Sequence, residues 1–372
     1  MEEKIREYFS VIEDFRCPCD IEHPLTDVLI LVMCAALCGI DEPEKIVEYG
    51  KNKQEFLTHR FNVRKTPSQS TLSRILAAVD GEAVGRIIVE IMYEMLGAAG
   101  EEIAFDGKTI RSTGRSALKE TLHIITAYAH QNGVILGQSV VGEKTNEIPV
   151  LREMLEIIDV EGKTVTADAI HAQTKTVEKI IEKKGDYCIS LKANQETLYE
   201  DVRLYLDDIL SSKLKSDKEK YHTAQTSEKS RNRYEKRTCY LLNDISWLPQ
   251  LREWAGLRNV LAIKREVTVN DVKSTETNYY ISSLDTTPER FLEIVRNHWK
   301  IESLHWQLDV IFNEDDCRVI STNGQKTLNA FRKLALCLHK NFKDKTGSKK
   351  SMRKHMFSCL LSDEAFIELF EM

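Results

Sequence analysis

Three acids in unlike surroundings hold most of the chemistry this chain could do: Asp106, Asp168 and Glu302. Asp106 closes the apolar run Ile103-Ala104-Phe105 and is followed by Gly107-Lys108. Asp168 closes Thr164-Val165-Thr166-Ala167. Glu302 lies inside a long helical pattern, Asn297-His298-Trp299-Lys300-Ile301-Glu302-Ser303-Leu304-His305-Trp306. An acid at the end of an apolar strand is costly unless it is paired or metal-bound, because burial disfavours the charged form. Two strand-end aspartates and a helical glutamate are what a two-metal phosphoryl-transfer site needs, the ions standing roughly 3.5–4 Å apart. The chain holds 58 Asp and Glu residues, so most are ordinary solvated charges. The weight of these three depends on the elements that position them.

The run from Glu101 to Asp106 reads as a strand, Leu122 to His130 as a second and Val134 to Val141 as a third. Asn132-Gly133 between the last two is a hairpin signal, so the three form an antiparallel meander. Ile148, Leu151, Leu155 and Ile158 share a helical face, with Pro149 in the first turn. The strand ending at Asp168 follows, then a helix from about Gln173 to Lys184 stopping at Gly185, then the strand Tyr187–Leu191. A helix between the third and fourth strands favours a parallel crossover. If the first and fourth strands pair in parallel, Asp106 and Asp168 end side by side. That β-β-β-α-β-α-β order is the ribonuclease-H-like topology.

Thr287-Pro288-Glu289 is a well-formed helix start, and the helix is expected to run to about Phe312, roughly 37 Å. Phe291, Val295, His298, Glu302, His305 and Asp309 form one stripe along it. The apolar end belongs in a core; the polar end needs partners, which a groove holding metal and phosphate would supply. A solvated face with incidental histidines explains the same letters. So does a zinc site of His298, Glu302 and His305, although the spacing is not that of the HExxH hydrolases.

Taken together, these blocks resemble the DDE transposases of insertion sequences, most closely the H-repeat-associated group. Val11–Arg16 and His23–Leu29 are similar to that group's N-terminal associated domain. Phe105-Asp106-Gly107-Lys108-Thr109-Ile110-Arg111 is similar to its first catalytic motif. Asp168-Ala169-Ile170-His171, with Asp186-Tyr187 and Leu191-Lys192-Ala193-Asn194-Gln195, is similar to the second, and His298–Glu302 with Leu304–Val310 to the third. The resemblance implies that Asp106, Asp168 and Glu302 bind two Mg²⁺ ions, with Mn²⁺ as a substitute. It also implies that the enzyme cuts transposon ends and joins the freed 3′-OH to target DNA, acting as a homodimer on paired ends. The chain departs from the wider Tyr-Arg-Glu-Lys signature: Val295, His298 and Asp309 occupy the Tyr, Arg and Lys positions. Ser303 follows the glutamate where the H-repeat-like group usually has Asn.

The expected fold class is α/β: a ribonuclease-H-like core, a mixed five-stranded sheet with helices, interrupted by a β-rich insertion and preceded by a helical domain. The expected boundaries are 1–95 for the helical N-terminal, DNA-binding domain, 96–195 and 285–345 for the catalytic domain, 196–284 for the insertion and 346–372 for a helical tail. In the insertion, Leu198–Leu210 reads as a helix, and Tyr234–Leu242, Asn259–Val269 and Thr277–Ser283 read as strands, with a turn at Asn270-Asp271. Placing a DNA flank or hairpin and a purely structural role are both open for it.

Net charge is −6, so DNA binding needs local basic surface. Lys213–Arg237 has nine Lys or Arg against four acids, and Ser321–Met356 has ten against one. Plain solvated surface is the alternative for both. Lys108, Arg111 and Lys192 are candidate phosphate contacts, with His298 and His305 from the helical stripe. Asn194 and Gln195 either contact DNA or cap the next helix. Thr66–Leu76 reads as the entry to a recognition helix presenting Arg74, or as a plain capped surface helix.

The longest uncharged apolar run, Val28–Ile40, is too short for a membrane span, and no signal-like segment precedes it. Nine cysteines without disulfide-like regularity suit a reducing cytosol, so a cytoplasmic, DNA-associated protein is expected. Cys17, Cys19, Cys34 and Cys38 fit no zinc-finger spacing and read better as thiols, the last two in a core helix. Besides transposition, two readings are carried: a nuclease of the same fold that cuts without joining, and a repurposed DNA-binding protein.

Overall fold

The computed structural model describes residues 2–97, 100–110, 122–141, 146–212, 220–230 and 232–371. The chain divides into two compact units, residues 1–99, 107–144 and 303–372 in the first, and 100–106 and 145–302 in the second. Strand β1 (Glu102–Ile110) runs from the second unit into the first.

The first unit is mostly helical. It opens with α1 (Glu2–Ser10), α2 (Leu25–Leu37), α3 (Pro43–Asn52), α4 (Gln54–Phe61), α5 (Gln69–Ala78) and α6 (Gly81–Leu96). Helix α2 is apolar almost all round and accordingly buried almost throughout, Cys34 included. The strands β2 (Leu122–Ala129) and β3 (Val134–Val141) form an antiparallel hairpin, Ala129 facing Val134 across the turn that holds Gly133 at φ +69°.

The second unit is built on a mixed sheet. Strand β4 (Thr164–Ala167) is buried on both faces, as its short unbroken run requires. It pairs in parallel with β1, Phe105 opposite Ala167, and with β5 (Asp186–Leu191), Ala167 opposite Ile189. Crossing helices α7 (Glu147–Ile157) and α8 (Thr174–Glu182) lie where the sequence places them, and α9 (Glu196–Ser211) follows β5.

The expected five-stranded sheet is part of a longer one. The later strands β6 (His222–Ser230), β7 (Arg233–Leu242), β8 (Asn259–Val269) and β9 (Val272–Ser282) extend it. In this unit the order is β1-β4-β5-β9-β8-β7-β6, and β9 pairs antiparallel with β5, Ser190 opposite Tyr280. This pairing satisfies the β5 backbone groups that an open edge would leave exposed.

Helix α10 (Pro288–His298) lays Phe291, Leu292, Ile294 and Val295 against Cys188, Cys239, Leu241 and Leu261 of the sheet. The single long helix expected to Phe312 is interrupted: Trp299 takes φ −63°, ψ −6°, and α11 (Lys300–Phe312) starts beyond it. The apolar period runs unbroken across the gap, so no Gly or Pro signals the break.

Returning to the first unit, α12 (Thr322–Thr346), α13 (Met352–Leu361) and α14 (Asp363–Phe370) complete it, α12 packing on α2 and α6. Part of the basic run from Ser321 to Met356 is not surface. Arg332 and Lys333 are buried; Arg332 bonds Asp41 at 2.6 Å, and Lys333 bonds Thr126 at 2.9 Å and Gln138 at 2.8 Å. They face inward because α12 is a core helix on that side. Among the described residues no helix is long and apolar enough to cross a membrane.

Strand β7 carries an ionic hub with a measurable signature. Buried Glu235 accepts from Arg265 and Arg233, each at 2.7 Å, and pairs with Arg237. Burial pushes its carboxyl up, but the hydrogen bonds from Arg265 and Arg233 and the charge of Arg237 outweigh this and hold it at about 2, against 4.5 for a free glutamate. A depressed folded value means stability that is present above pH 4.5 and lost as pH falls toward 2. Glu235→Gln is therefore expected to cost about 3 kcal/mol at pH 7 and nothing extra near pH 2. Urea unfolding of both proteins across that range checks this; a deficit that persists at low pH would show that packing, not charge, sets it.

Candidate active site

The parallel register brings the two strand-end acids together. Ala104 faces Thr166, so Asp106 and Asp168, two residues further along each chain, lie on the same face. Asp106 and Asp168 both act electrostatically on Glu302, the third acid. One turn before Glu302, at the end of α10, stands His298. Its Nδ1 is 3.0 Å from Thr166 Oγ1, and its Nε2 is 3.7 Å from Asp168 Oδ1.

The two carboxyls are pushed in opposite directions. The His298 ring beside it holds Asp168 below the usual carboxylate range, with Lys192 and His171 assisting and burial opposing. Glu302 is raised, first by burial and then by repulsion from Asp106 and Asp168, with His298 acting against them. Its Oε2 is buried without a hydrogen-bond partner. A buried carboxylate oxygen without a partner among like charges fits a cation-binding site.

A cavity of about 160 Å³ opens over these groups, lined by Asp168, Ser190, Lys192, Tyr280, His298 and Glu302. Its walls follow strand parity. Cys188 and Ser190 alternate along β5, with Lys192 just past its end, and Glu276, Asn278 and Tyr280 alternate along β9. The β9 residues and Thr166 were not singled out in the sequence. The alternation Glu276-Asn278-Tyr280 is visible there, but it points to a site only once β9 is known to pair with β5.

With this geometry in place, comparison with known proteins is decisive. A family model described as a transposase DDE domain matches residues 98–338, and a DDE_Tnp_1-associated model matches residues 6–91. The chain belongs to the DDE transposase family. YncI of Escherichia coli O157:H7, named as a transposase, is 33% identical over 360 residues, covering 95% of this chain and 91% of that one. YhhI of Escherichia coli K12, named as an H repeat-associated transposase, is 31% identical over 362 residues, 94% of each. Among solved structures, a piggyBac transposase synaptic complex with hairpin DNA gives a TM-score of 0.44 at 11% identity, covering 100% of this chain and 78% of that one. DNA transposition is thus the activity of this protein, DNA is its partner, and the family chemistry depends on divalent metal.

The remaining candidate residues of the transposase are placed as follows. Lys192 is exposed at the cavity. Asn194 and Gln195 do not cap α9: Asn194 donates to the Ala169 carbonyl at 2.6 Å, and Gln195 Nε2 is 3.3 Å from Gln173 Oε1. Both fasten the segment that follows Asp168 through their side-chain NH2 groups. The Lys108 ammonium is held by Asp309 and Glu314, each at 2.6 Å. His305 is buried. Arg74 is exposed on α5, whose Ser68 cap accepts from Thr71 N–H. Arg111 lies outside the described residues. Of the four early cysteines, Cys34 and Cys38 are buried, while Cys17 and Cys19 are exposed.

Proposed function

We propose that Asp106, Asp168 and Glu302 are the catalytic carboxylates of this transposase and hold two Mg²⁺ ions, with Mn²⁺ able to replace them. The observation that carries this is Glu302: a half-buried glutamate with one buried, unpartnered carboxyl oxygen, whose charge feels both strand-end aspartates. A bound metal pair supplies an activated oxygen nucleophile and relieves charge on the leaving oxygen. The chain's own groups do the positioning. Thr166 fixes the His298 ring, His298 orients Asp168, and Asn194 pins the backbone just after Asp168. Lys192 is the cation best placed to meet a phosphate at the cavity mouth.

The core around these acids reads as ribonuclease-H-like, supported by the parallel β1-β4-β5 pairing with crossing helices and the β2–β3 hairpin. The domain reading is 1–95 as a DNA-binding region presenting Arg74 on α5, 96–195 and 285–345 as catalytic, 196–284 as the added strands and 346–372 as the tail. Lys108, Arg111, Asn194, Gln195, His298 and His305 are further candidate DNA contacts, and a homodimer on paired ends is the acting form in this reading.

The test is cleavage and joining of DNA carrying the gene's own flanks, with and without Mg²⁺. Metal-dependent nicking with joined product is expected. Nicking with no joined product, given correct ends, would favour the cutting-only nuclease; binding with no chemistry would favour a repurposed DNA-binding protein.

A further inference from the structure

Three donor side chains that transposition does not use converge in the first unit. His339 on α12 and His355 and Cys359 on α13 bring their ligand atoms within 4.8 Å of one another. Among the described residues no other group of three His, Cys, Asp or Glu is so gathered. All three are buried, at 0%, 4% and 1% exposure. His355 and Cys359 are four residues apart, one above the other on one helical face, and His339 meets them from the neighbouring helix.

The hydrogen bonds fix which atoms face inward. His339 Nε2 is 2.7 Å from the Leu37 carbonyl oxygen, which can only accept, so Nε2 holds the proton and Nδ1 the lone pair. That Nδ1 points at His355 Nδ1, 2.7 Å away. A histidine that gives its outer N–H to a backbone carbonyl and turns its other nitrogen toward a second histidine has the outer-shell arrangement of a metal ligand. The His355 ring is held by stacking on Phe342 at 4.1 Å between centroids. Two imidazoles and a thiol are a borderline-soft set that prefers Zn²⁺ to the hard, oxygen-seeking Mg²⁺. Zinc bonds of about 2.0–2.1 Å to nitrogen and 2.3 Å to sulfur would need the two rings to part slightly and the thiol to close in.

We propose that His339, His355 and Cys359 form a zinc site, with water as fourth ligand, that ties α13 to α12 beside the end of α2. Its metal is of a different class from that of the carboxylates, so it stands or falls independently of the catalytic reading. Binding would release the Cys359 proton and stabilise the folded chain by mass action.

The test uses the full-length chain, stripped of metal and titrated with Co²⁺ as a spectroscopic probe. One equivalent should produce tetrahedral visible bands and a thiolate-to-cobalt charge-transfer band in the near ultraviolet, both abolished by one equivalent of Zn²⁺. Cys359→Ser should lose the charge-transfer band, His355→Gln should weaken cobalt binding at least tenfold, and Asp106→Asn and Cys17→Ser should change neither. Zinc should raise the unfolding temperature of wild type and not of Cys359→Ser. A wild-type protein that folds but gives no charge-transfer band overturns the proposal even if the variants fail to fold. A band that survives in Cys359→Ser overturns it too, since another thiol would then be the ligand.

Discussion

Asp106→Asn, Asp168→Asn and Glu302→Gln should each remove DNA cleavage and joining, by on the order of 10³-fold or more, while end-DNA binding stays within a few-fold of wild type. The asymmetry follows from charge. DNA affinity comes from neutralised phosphates, and removing a carboxylate from a site that faces DNA takes away repulsion rather than attraction. In the proposed site all three carboxylates hold the cations, so neutralising any one should be severe. Stability adds a second discriminator. Glu302 is raised by burial and by Asp106 and Asp168, so its charge is a burden on the metal-free fold. Glu302→Gln should leave the unfolding temperature unchanged or higher. Nicking assays, filter binding and thermal melts on the same preparations read all three quantities. Loss of binding in parallel with a lower melting point for every variant would make the acids structural and end the catalytic assignment.

Much of what places these acids can be read directly from the letters. Asn259–Val269 is legible as a strand because apolar residues dominate its first half, and it is β8 to the residue. The turn at Asn270-Asp271 is legible because these residue types tolerate the left-handed region, and both adopt it, at φ 47° and 64°. The helix between β3 and β4 signals a parallel crossover, while the adjacency of β4 to β1, a condition at the level of the letters, is met in the structure. Other features have no local signal. Strand β6, His222–Ser230, is polar and exposed except at Ala224, so it shows no period of two. The junction of β5 with β9 joins segments about 90 residues apart, and nothing near Cys188 names Ser282 as its partner. Arg332 and Lys333 read as surface because charge counts ignore which helical face turns inward. Lys108 reads as a phosphate contact because it follows a strand-end acid, yet its partners Asp309 and Glu314 come from 201 and 206 residues away.

That last contact supports the prediction with the largest structural cost. Glu314 is fully buried; it accepts from Lys108 at 2.6 Å and from Asn329 at 2.5 Å, and Arg332 lies 4.0 Å away. Burial raises its carboxyl, but the charges of Lys108, Arg332 and Lys333 and the Lys108 hydrogen bond outweigh this and hold it below the usual range. One anion therefore serves three cations. Glu314→Gln removes the counter-charge all three share, leaving Lys108 to Asp309, Arg332 to Asp41 and Lys333 to the neutral Thr126 and Gln138, and should cost about 3 kcal/mol, read as a lower denaturation midpoint at unchanged slope. Adding Lys108→Met to Glu314→Gln should recover part of the loss, as coupled neighbours do. The pH dependence gives a sharper check. Burial lowers Lys333 to about 8, with Glu314 opposing, against 10.5 for a free lysine. A lowered lysine costs stability while charged, and the cost fades as pH rises through 8 toward 10.5. Without Glu314 the ammonium of Lys333 is harder still to hold, so the variant's deficit should be larger at pH 7 than at pH 9, where Lys333 is neutral in both proteins. Equal deficits at the two pH values would show that Lys333 lies outside the network and that Glu314 answers to Lys108 and Arg332 alone.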